Sequence, residues 1–326
     1  MTATIIDGEA IASQIKQQVA TDAAKLSAAG KTPRLTAVQV GENPASKIYT
    51  NMQARECQSV GIEYELKYLT EEITQGELLD EIEALNNDPS VSGVILQMPL
   101  PGHINPHEMQ IAISPSKDVE GIGQSNLGHL FHGQGGCAPC TAIAAVELLR
   151  RTCDDLAGKE AVIVGHSEIV GKPIAMLLLQ SLRESPTVTV CHVATRDLAF
   201  HTKRADILFV AAGVSQAKWR AALRQAKAEG KDLLVPDLSP LISGGMIKDG
   251  AIVIDVAINR IPKGADENGH PLKRDNGKTA MRTVGDVDFD AAKEVASAIT
   301  PVPGGVGPVT VAMLLKNTII CAKVMH

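Results

Sequence analysis

Aromatic side chains are almost missing from this chain: one Trp, three Tyr and four Phe stand among 326 residues. Proteins that hold single-stranded nucleic acid stack successive bases on aromatic rings, and so few rings build no such platform. The cores must instead be made of Leu, Ile, Val and Ala. Positive charge is not in excess either. The 31 Lys and Arg are outnumbered by 37 Asp and Glu, a formal net charge of −6 that argues against a polyanionic partner. Nucleic acid is therefore not an expected partner. No run approaches the roughly 18–20 uninterrupted apolar residues that span a bilayer, so no membrane association is expected. Met1-Thr2-Ala3-Thr4 has no basic start, and a secretion signal is not expected. Internal repeats and low-complexity runs are lacking as well.

Cysteine is sparse, with six residues at 57, 137, 140, 153, 191 and 321. Cys137 and Cys140 form a Cys-x-x-Cys pair that invites a metal or redox reading. No second pair follows, and Pro139 with Thr141 gives the segment the character of a shaped loop. The expectation is no metal site and a reducing compartment, the cytosol.

The chain is long for one core and comfortable for two, and its 44% hydrophobic and 21% charged residues are ordinary for a globular protein. Residues 4–29 read as a strand and then a helix, with Ile11, Ile15 and Val19 recurring every four residues and Gly30 as a left-handed cap. A short β-rich run at 35–40 ends at Gly41. A helix over 45–60 stops at Gly61. A strand at 64–69, a helix at 77–86 and a mostly apolar strand at 91–97 follow. A second series begins near Thr141, with a helix at 143–151 and strands at 160–164, 187–191, 207–211 and 252–256. Such alternation predicts an α/β fold with parallel sheets, the second series in the rhythm of a nucleotide-binding sheet. Residues 214–246 and 262–282 are polar or irregular and are expected to be surface excursions.

Three segments carry chemistry. Gly165-His166-Ser167-Glu168-Ile169-Val170-Gly171-Lys172-Pro173 follows an apolar strand and opens a helix, where backbone N–H groups and the helix dipole can hold a pyrophosphate. The pattern G-x-G-x-x-G is not met literally, since Ser167 and Val170 stand where two glycines would, and a plain tight turn is the alternative. Second, Thr300-Pro301-Val302-Pro303-Gly304-Gly305-Val306-Gly307-Pro308-Val309-Thr310 is a stiff loop with exposed amides, suited to a planar ligand; the alternative is a simple connection before the last helix. Third, Tyr49 and Gln53 are four apart and share one helical face. Gln97 ends a parallel strand, where ligands bind in open α/β sheets. Lys117-Asp118-Val119-Glu120-Gly121 forms a later loop.

Together with Pro139-Cys140-Thr141 and Val284-Gly285-Asp286-Val287, these words make the chain resemble the methylenetetrahydrofolate dehydrogenase/cyclohydrolases from about residue 5 to 322. The resemblance implies an amino-terminal α/β domain with a parallel sheet (1–140 plus 295–326, the last helix returning to it). It also implies a Rossmann-type doubly wound NAD(P)-binding domain (141–294) and a folate cleft between the two. It implies oxidation of 5,10-methylenetetrahydrofolate with NADP or NAD, tetrahydrofolate derivatives as substrates, and a homodimer paired through the cofactor domain. Carried over by position, Tyr49, Gln53, Gln97 and Glu120 form the catalytic face. Tyr49, Gln97, Asp118, Glu120, Val302, Pro303, Gly304 and Gly305 meet the substrate. Gly165, His166, Ser167, Val170, Gly171, Arg196 and Ile258 meet the dinucleotide. No Gly-x-x-x-x-Gly-Lys-Ser/Thr loop is present, so fused formate ligase activity is not expected.

Two catalytic positions depart from the family pattern: Gln53 stands for a lysine and Glu120 for an aspartate. Hydride transfer is chiefly a matter of positioning. Hydrolysis of the methenyl product also needs a group that handles protons as water attacks, typically worth ~10²–10⁴-fold. A glutamine amide does not titrate. Arg55 stays protonated, and on an ideal helix it points about 200° around from Gln53. The expectation is a dehydrogenase with weak or absent cyclohydrolase activity. A fully bifunctional enzyme and a non-catalytic folate-binding paralogue are the alternatives. A general Rossmann dehydrogenase of hydroxy or amino acids would need a His–Asp or Lys–Asp pair that the spacing does not supply. At the cofactor, His166 stands for a family arginine that meets the 2′-phosphate, Val193 follows the second strand, and no acidic residue closes that strand. The family habit is NADP, whereas His166 and Val193 lean toward NAD; Arg196 is the nearby positive charge, and both cofactors remain open.

Overall fold

Residues 2–42 and 44–324 are described in the computed structural model of the protein, residues 44–48 by their backbone alone. In chain order the first elements are β1 (Thr4–Ile5), α1 (Gly8–Ala28), β2 (Arg34–Val40), α2 (Pro44–Ser59), β3 (Glu63–Leu69), α3 (Gln75–Asn87) and β4 (Gly93–Leu96). Then come α4 (Pro106–Ala112), α5 (Gln124–Phe131), α6 (Cys140–Arg150), β5 (Glu160–Val164), α7 (Gly171–Leu178), β6 (Thr187–Cys191), α8 (Leu198–Thr202) and β7 (Ile207–Val210). The chain closes with α9 (Val214–Glu229), β8 (Ile252–Asp255), β9 (Asn259–Pro262), β10 (Met281–Val284), α10 (Phe289–Ala292), β11 (Ala298–Ile299) and α11 (Val306–Val324).

Local chemistry sets several of these boundaries. Gly30 and Gly61 adopt φ of +76° and +75° just past α1 and α2, as a left-handed helix cap requires. α3 starts two residues before the stretch expected from its apolar pattern, because Thr74 caps it. The Thr74 hydroxyl accepts from the Glu77 amide at 3.2 Å, and the Glu77 carboxylate accepts from the Thr74 amide at 2.8 Å.

The chain divides into two compact units, each described here by itself. One comprises Ala10–Ala144 and Pro308–His326. Its sheet runs β3-β2-β4, all parallel. A core of Val38, Val40, Leu78, Ile82, Val94 and Met109 packs β2 and β4 against α3 and α4. The other unit comprises Met1–Glu9 and Ala145–Gly307. Its sheet has the order β1-β11-β8-β7-β5-β6, with every pairing parallel. Aliphatic β5, β7 and β8 are buried nearly throughout, as strands covered on both faces should be. Successive strands leave β5 in opposite directions, β6 on one side and β7 on the other. That is the switch point at whose carboxyl ends open α/β sheets bind ligands.

Two expectations change. The first residues and residues 295–307 group with the nucleotide-type unit rather than the amino-terminal one. Thr4–Ile5 pairs with Ala298–Ile299, which pairs in turn with β8, so both ends of that sheet's edge come from outside 141–294. The expected excursion at 214–246 opens with α9, a regular helix of 16 residues. Only Ser215 and Trp219 of α9 are buried, too few for an apolar stripe to be visible. The second excursion, 262–282, is framed by an antiparallel β9–β10 ribbon. Among the described residues one helix, α11, is long and apolar enough to cross a membrane by length and composition, at 19 residues and mean hydropathy 1.2. Most of that helix, 61%, is buried inside the structure, the behaviour of a core helix.

Candidate active site

α2, β3 and the carboxyl end of β4 bring three polar side chains together in the first unit. Gln97 continues the ladder past β4, its amide donating to the Val38 carbonyl at 2.8 Å. This aims the Gln97 side chain at α2, where its Nε2 donates to Gln53 Oε1 at 2.9 Å. A third group was not foreseen. Tyr64, on β3, donates its hydroxyl to the same Gln53 oxygen at 3.3 Å. Gln53 is only 2% exposed, and among the described residues its Nε2 has no hydrogen-bond partner of good geometry, with only a loose interaction with the Tyr49 hydroxyl. Tyr49, one turn earlier on α2, keeps 41% of its surface exposed. Packing around its hydroxyl and the charge of Glu120 nonetheless push its pKa up. Burial pushes the Tyr64 hydroxyl up further.

The loop at 117–121 is held from four sides. Lys117 is buried and donates to the carbonyls of Leu85 and Asp88 at 2.8 and 2.6 Å. Asp118 is 3% exposed. Its carboxylate accepts from the amides of Gly121 and Gly123 at 2.9 and 2.8 Å and from Asn126 Nδ2 at 3.0 Å. Two backbone amides and the Asn126 side chain of α5 thus engage the Asp118 carboxylate. Gly121 has φ +65°, and a Cβ there would lie 2.4 Å from the Ala138 backbone, so the loop sits directly on the Pro139-Cys140 segment. Asn317, on α11, donates to the carbonyls of Val119 and Ala138 at 2.8 and 3.1 Å. Fixed between Val119 and Gly121, Glu120 has its pKa pushed up to about 7, first by burial and then by the charge of Asp118. A carboxyl poised there can gain or lose a proton near neutrality.

Cys137 and Cys140 belong to this packing. Cys140 Sγ lies 3.3 Å from the Val119 carbonyl, and Cys137 Sγ lies 3.4 Å from Cys321 Sγ. Among the described residues, no group of three or more His, Cys, Asp or Glu is arranged to hold a metal ion.

In the second unit, the turn after β5 is shaped by glycine. Gly165 has φ +133°, and a Cβ on it would lie 2.4 Å from the Ala211 carbonyl at the end of β7. A Cβ on Gly171 would lie 1.9 Å from the Gly165 carbonyl. Gly171 therefore takes the close-packing role of the third glycine in the dinucleotide fingerprint, one residue later than Val170. Ser167 accepts from the Val170 amide at 3.2 Å and closes the turn. His166 and Ser167 are exposed over it. The His166 ring meets His192, just past β6, edge to face at 4.9 Å. Val193, Arg196 and Ile258 are exposed as well.

The loop at 300–307 is tied to β8. The Thr300 hydroxyl accepts from the Asp255 amide at 2.8 Å. Gly304 has φ +105°, and a Cβ on Gly8 would lie 1.8 Å from the Gly305 carbonyl, so the glycines serve close backbone packing. Val302 and Gly304 are half-buried, Pro303 is exposed and Gly305 is buried. A cavity of about 210 Å³ opens beside the loop, lined by Asp255, Arg282, Gly285, Asp288, Thr300 and Val302. Two buried carboxylates organise this corner. Asp286 accepts from the amides of Ala212, Gly213 and Val214 at 2.9, 2.6 and 3.2 Å and so caps α9. Asp255 accepts from Ala257 and Val287, and its pKa is pushed up to about 7 by burial and by the Asp286 charge. A charged residue closing an apolar strand was the available signal for Asp255.

Comparisons with known proteins agree along the whole length. The family description "tetrahydrofolate dehydrogenase/cyclohydrolase, catalytic domain" matches residues 6–120, and the corresponding NAD(P)-binding domain matches 139–228 and 230–326. The bifunctional protein FolD of Herminiimonas arsenicoxydans is 44% identical over 323 residues, 99% of each chain. Among solved structures, the bifunctional FolD enzyme of Campylobacter jejuni is similar at 39% identity and a TM-score of 0.81, covering 98% of this chain and 99% of that one. The methylenetetrahydrofolate dehydrogenase-cyclohydrolase of Trypanosoma brucei, solved with NADP and an inhibitor, is similar at 34% identity and a TM-score of 0.80, covering 99% and 98%.

Proposed function

The chain belongs to the tetrahydrofolate dehydrogenase/cyclohydrolase family, and from that premise we propose that it oxidises 5,10-methylenetetrahydrofolate to 5,10-methenyltetrahydrofolate with a nicotinamide dinucleotide, and hydrolyses the product poorly. The observation that carries the second half is Gln53, buried and held by Gln97 and Tyr64 where the family has a lysine.

The turn at 165–171 fits a dinucleotide: two glycines leave space that a Cβ would fill, at the start of a helix and at the sheet's switch point. A nicotinamide bound from that turn would supply hydride acceptance. In the other unit, ionised Glu120 can take the donor edge of a pterin in two hydrogen bonds, with Tyr49 alongside and Gln97 at the reacting region. Asp118 acts one step back, orienting the loop that presents Glu120. Oxidation asks nothing more of these groups than position. Hydrolysis asks for removal of a proton from the attacking water, and the Gln53 amide cannot take one. Full bifunctionality has one observation in its favour, the Glu120 pKa near 7; a carboxylate engaged by the pterin is not free for that task.

Either cofactor is served. The 2′-phosphate of NADP would meet Arg196 and the two imidazoles of His166 and His192, while the ribose of NAD finds no carboxylate at the end of β6. One charge-assisted contact is worth roughly 1.5–3 kcal/mol, partly offset by the exposure of Arg196. Initial rates of cofactor reduction with methylenetetrahydrofolate should give kcat/KM values for NAD and NADP within about tenfold of each other. No reduction with either cofactor would defeat the proposal. A homodimer joined through β6 and a cytosolic address, where six free thiols stay reduced, complete the reading.

A further inference from the structure

We infer that Tyr64 is a positioning residue: with Gln97 it turns the Gln53 side chain so that the amide Nε2 is offered to an acceptor atom of the bound folate. The inference rests on the folate reading above and concerns the same face. Gln53 Oε1 receives two donors, Gln97 Nε2 at 2.9 Å and the Tyr64 hydroxyl at 3.3 Å. Rotating the Gln53 amide by half a turn would set its nitrogen against the Gln97 nitrogen, donor against donor. The oxygen side is therefore saturated, and Nε2 of the buried Gln53 has no partner of good geometry among the described residues, interacting only loosely with the Tyr49 hydroxyl. A buried donor without an acceptor is costly, far more so than a made bond is rewarding. Gln39 Oε1 and His201 Nδ1 are also buried without partners, but neither side chain is held by two donors as Gln53 is.

The ligand chemistry follows. A group that only donates, cannot titrate and lies a helical turn from Tyr49 selects a neutral acceptor: a carbonyl oxygen or the lone pair of a tertiary nitrogen. A reduced pterin linked to an aminobenzoyl group carries both. Tyr64 itself does no proton transfer, since burial holds its hydroxyl well above the ordinary tyrosine range. Its part is to keep the amide from turning.

The test is steady-state kinetics of the whole enzyme against methylenetetrahydrofolate, for the parent, Tyr64→Phe, Gln53→Met, the double variant and Gln53→Glu. Loss of the Gln53 donor should raise KM about tenfold with kcat within about twofold, and Tyr64→Phe should raise KM about threefold. The double variant should match Gln53→Met alone, because Tyr64 acts through the amide. Gln53→Glu, which presents acceptors only, should be as weak as Gln53→Met. A parental KM in Tyr64→Phe, additive effects in the double variant, or a lowered KM in Gln53→Glu would each overturn the inference. Should Tyr64→Phe not fold, the two Gln53 variants still decide the direction of the bond. A parent that reduces no cofactor is a different failure, which removes the folate reading itself and the inference with it.

Discussion

Glu120 holds its proton more tightly in the folded chain than it would in the unfolded one. Its ordinary value of 4.5 rises to about 7 through burial and the neighbouring Asp118. Between these values the folded state binds more protons, so stability is fully present below about pH 4.5 and is lost as pH rises toward 7. The effect is roughly 2–4 kcal/mol. Glu120→Gln is uncharged at every pH and escapes it. That variant should melt several degrees above the parent at pH 8 and level with it near pH 5, by calorimetry; an equal gain at both would refute the assignment. The same change removes the charge offered to a pterin, so stability and substrate affinity should move in opposite directions. Gln53 and Glu120 were legible as departures because each stands inside a recognisable word of sequence. Tyr64 and Asn317 were not. Tyr64 reaches Gln53 from another element, and Asn317 reaches Val119 across 198 residues, contacts that no local pattern records.

β6 closes one side of the six-stranded sheet, and among the described residues no further strand pairs with it. An edge strand presents unpaired backbone groups and invites a partner. Val190 on β6 is 44% exposed, with Val193 just beyond at 64%, so the edge is apolar as well as open. Two copies joined along β6 would cover it. A lysine there is the usual protection of an edge, and Val190→Lys should shift the mass by light scattering from twice 34.4 kDa to 34.4 kDa. A parent that is already monomeric would remove this interface. Strands and core helices were readable because buried parallel strands are continuous apolar runs and helices repeat their apolar residues each turn. α9 was read as irregular for the opposite reason: it is anchored by Trp219 and capped by the distant Asp286, and its other faces are exposed.

The proposed chemistry draws on a glycine-cleared turn at a switch point in one unit and on Tyr49, Gln53, Gln97 and Glu120 in the other. The order of elements along the chain announced both, since word order survives when side chains change. The ends of the chain did not announce their unit, because two-residue strands such as β1 and β11 carry no periodicity. Oxidation without efficient hydrolysis is the property proposed from Gln53, and it is directly observable. Purified protein mixed with methylenetetrahydrofolate and NAD or NADP can be followed at the separate absorbances of the reduced cofactor and of methenyltetrahydrofolate. The account predicts that both rise together and that the methenyl signal then decays no faster than in buffer alone. Cofactor reduction with a methenyl intermediate that the enzyme clears well above the buffer rate would contradict it.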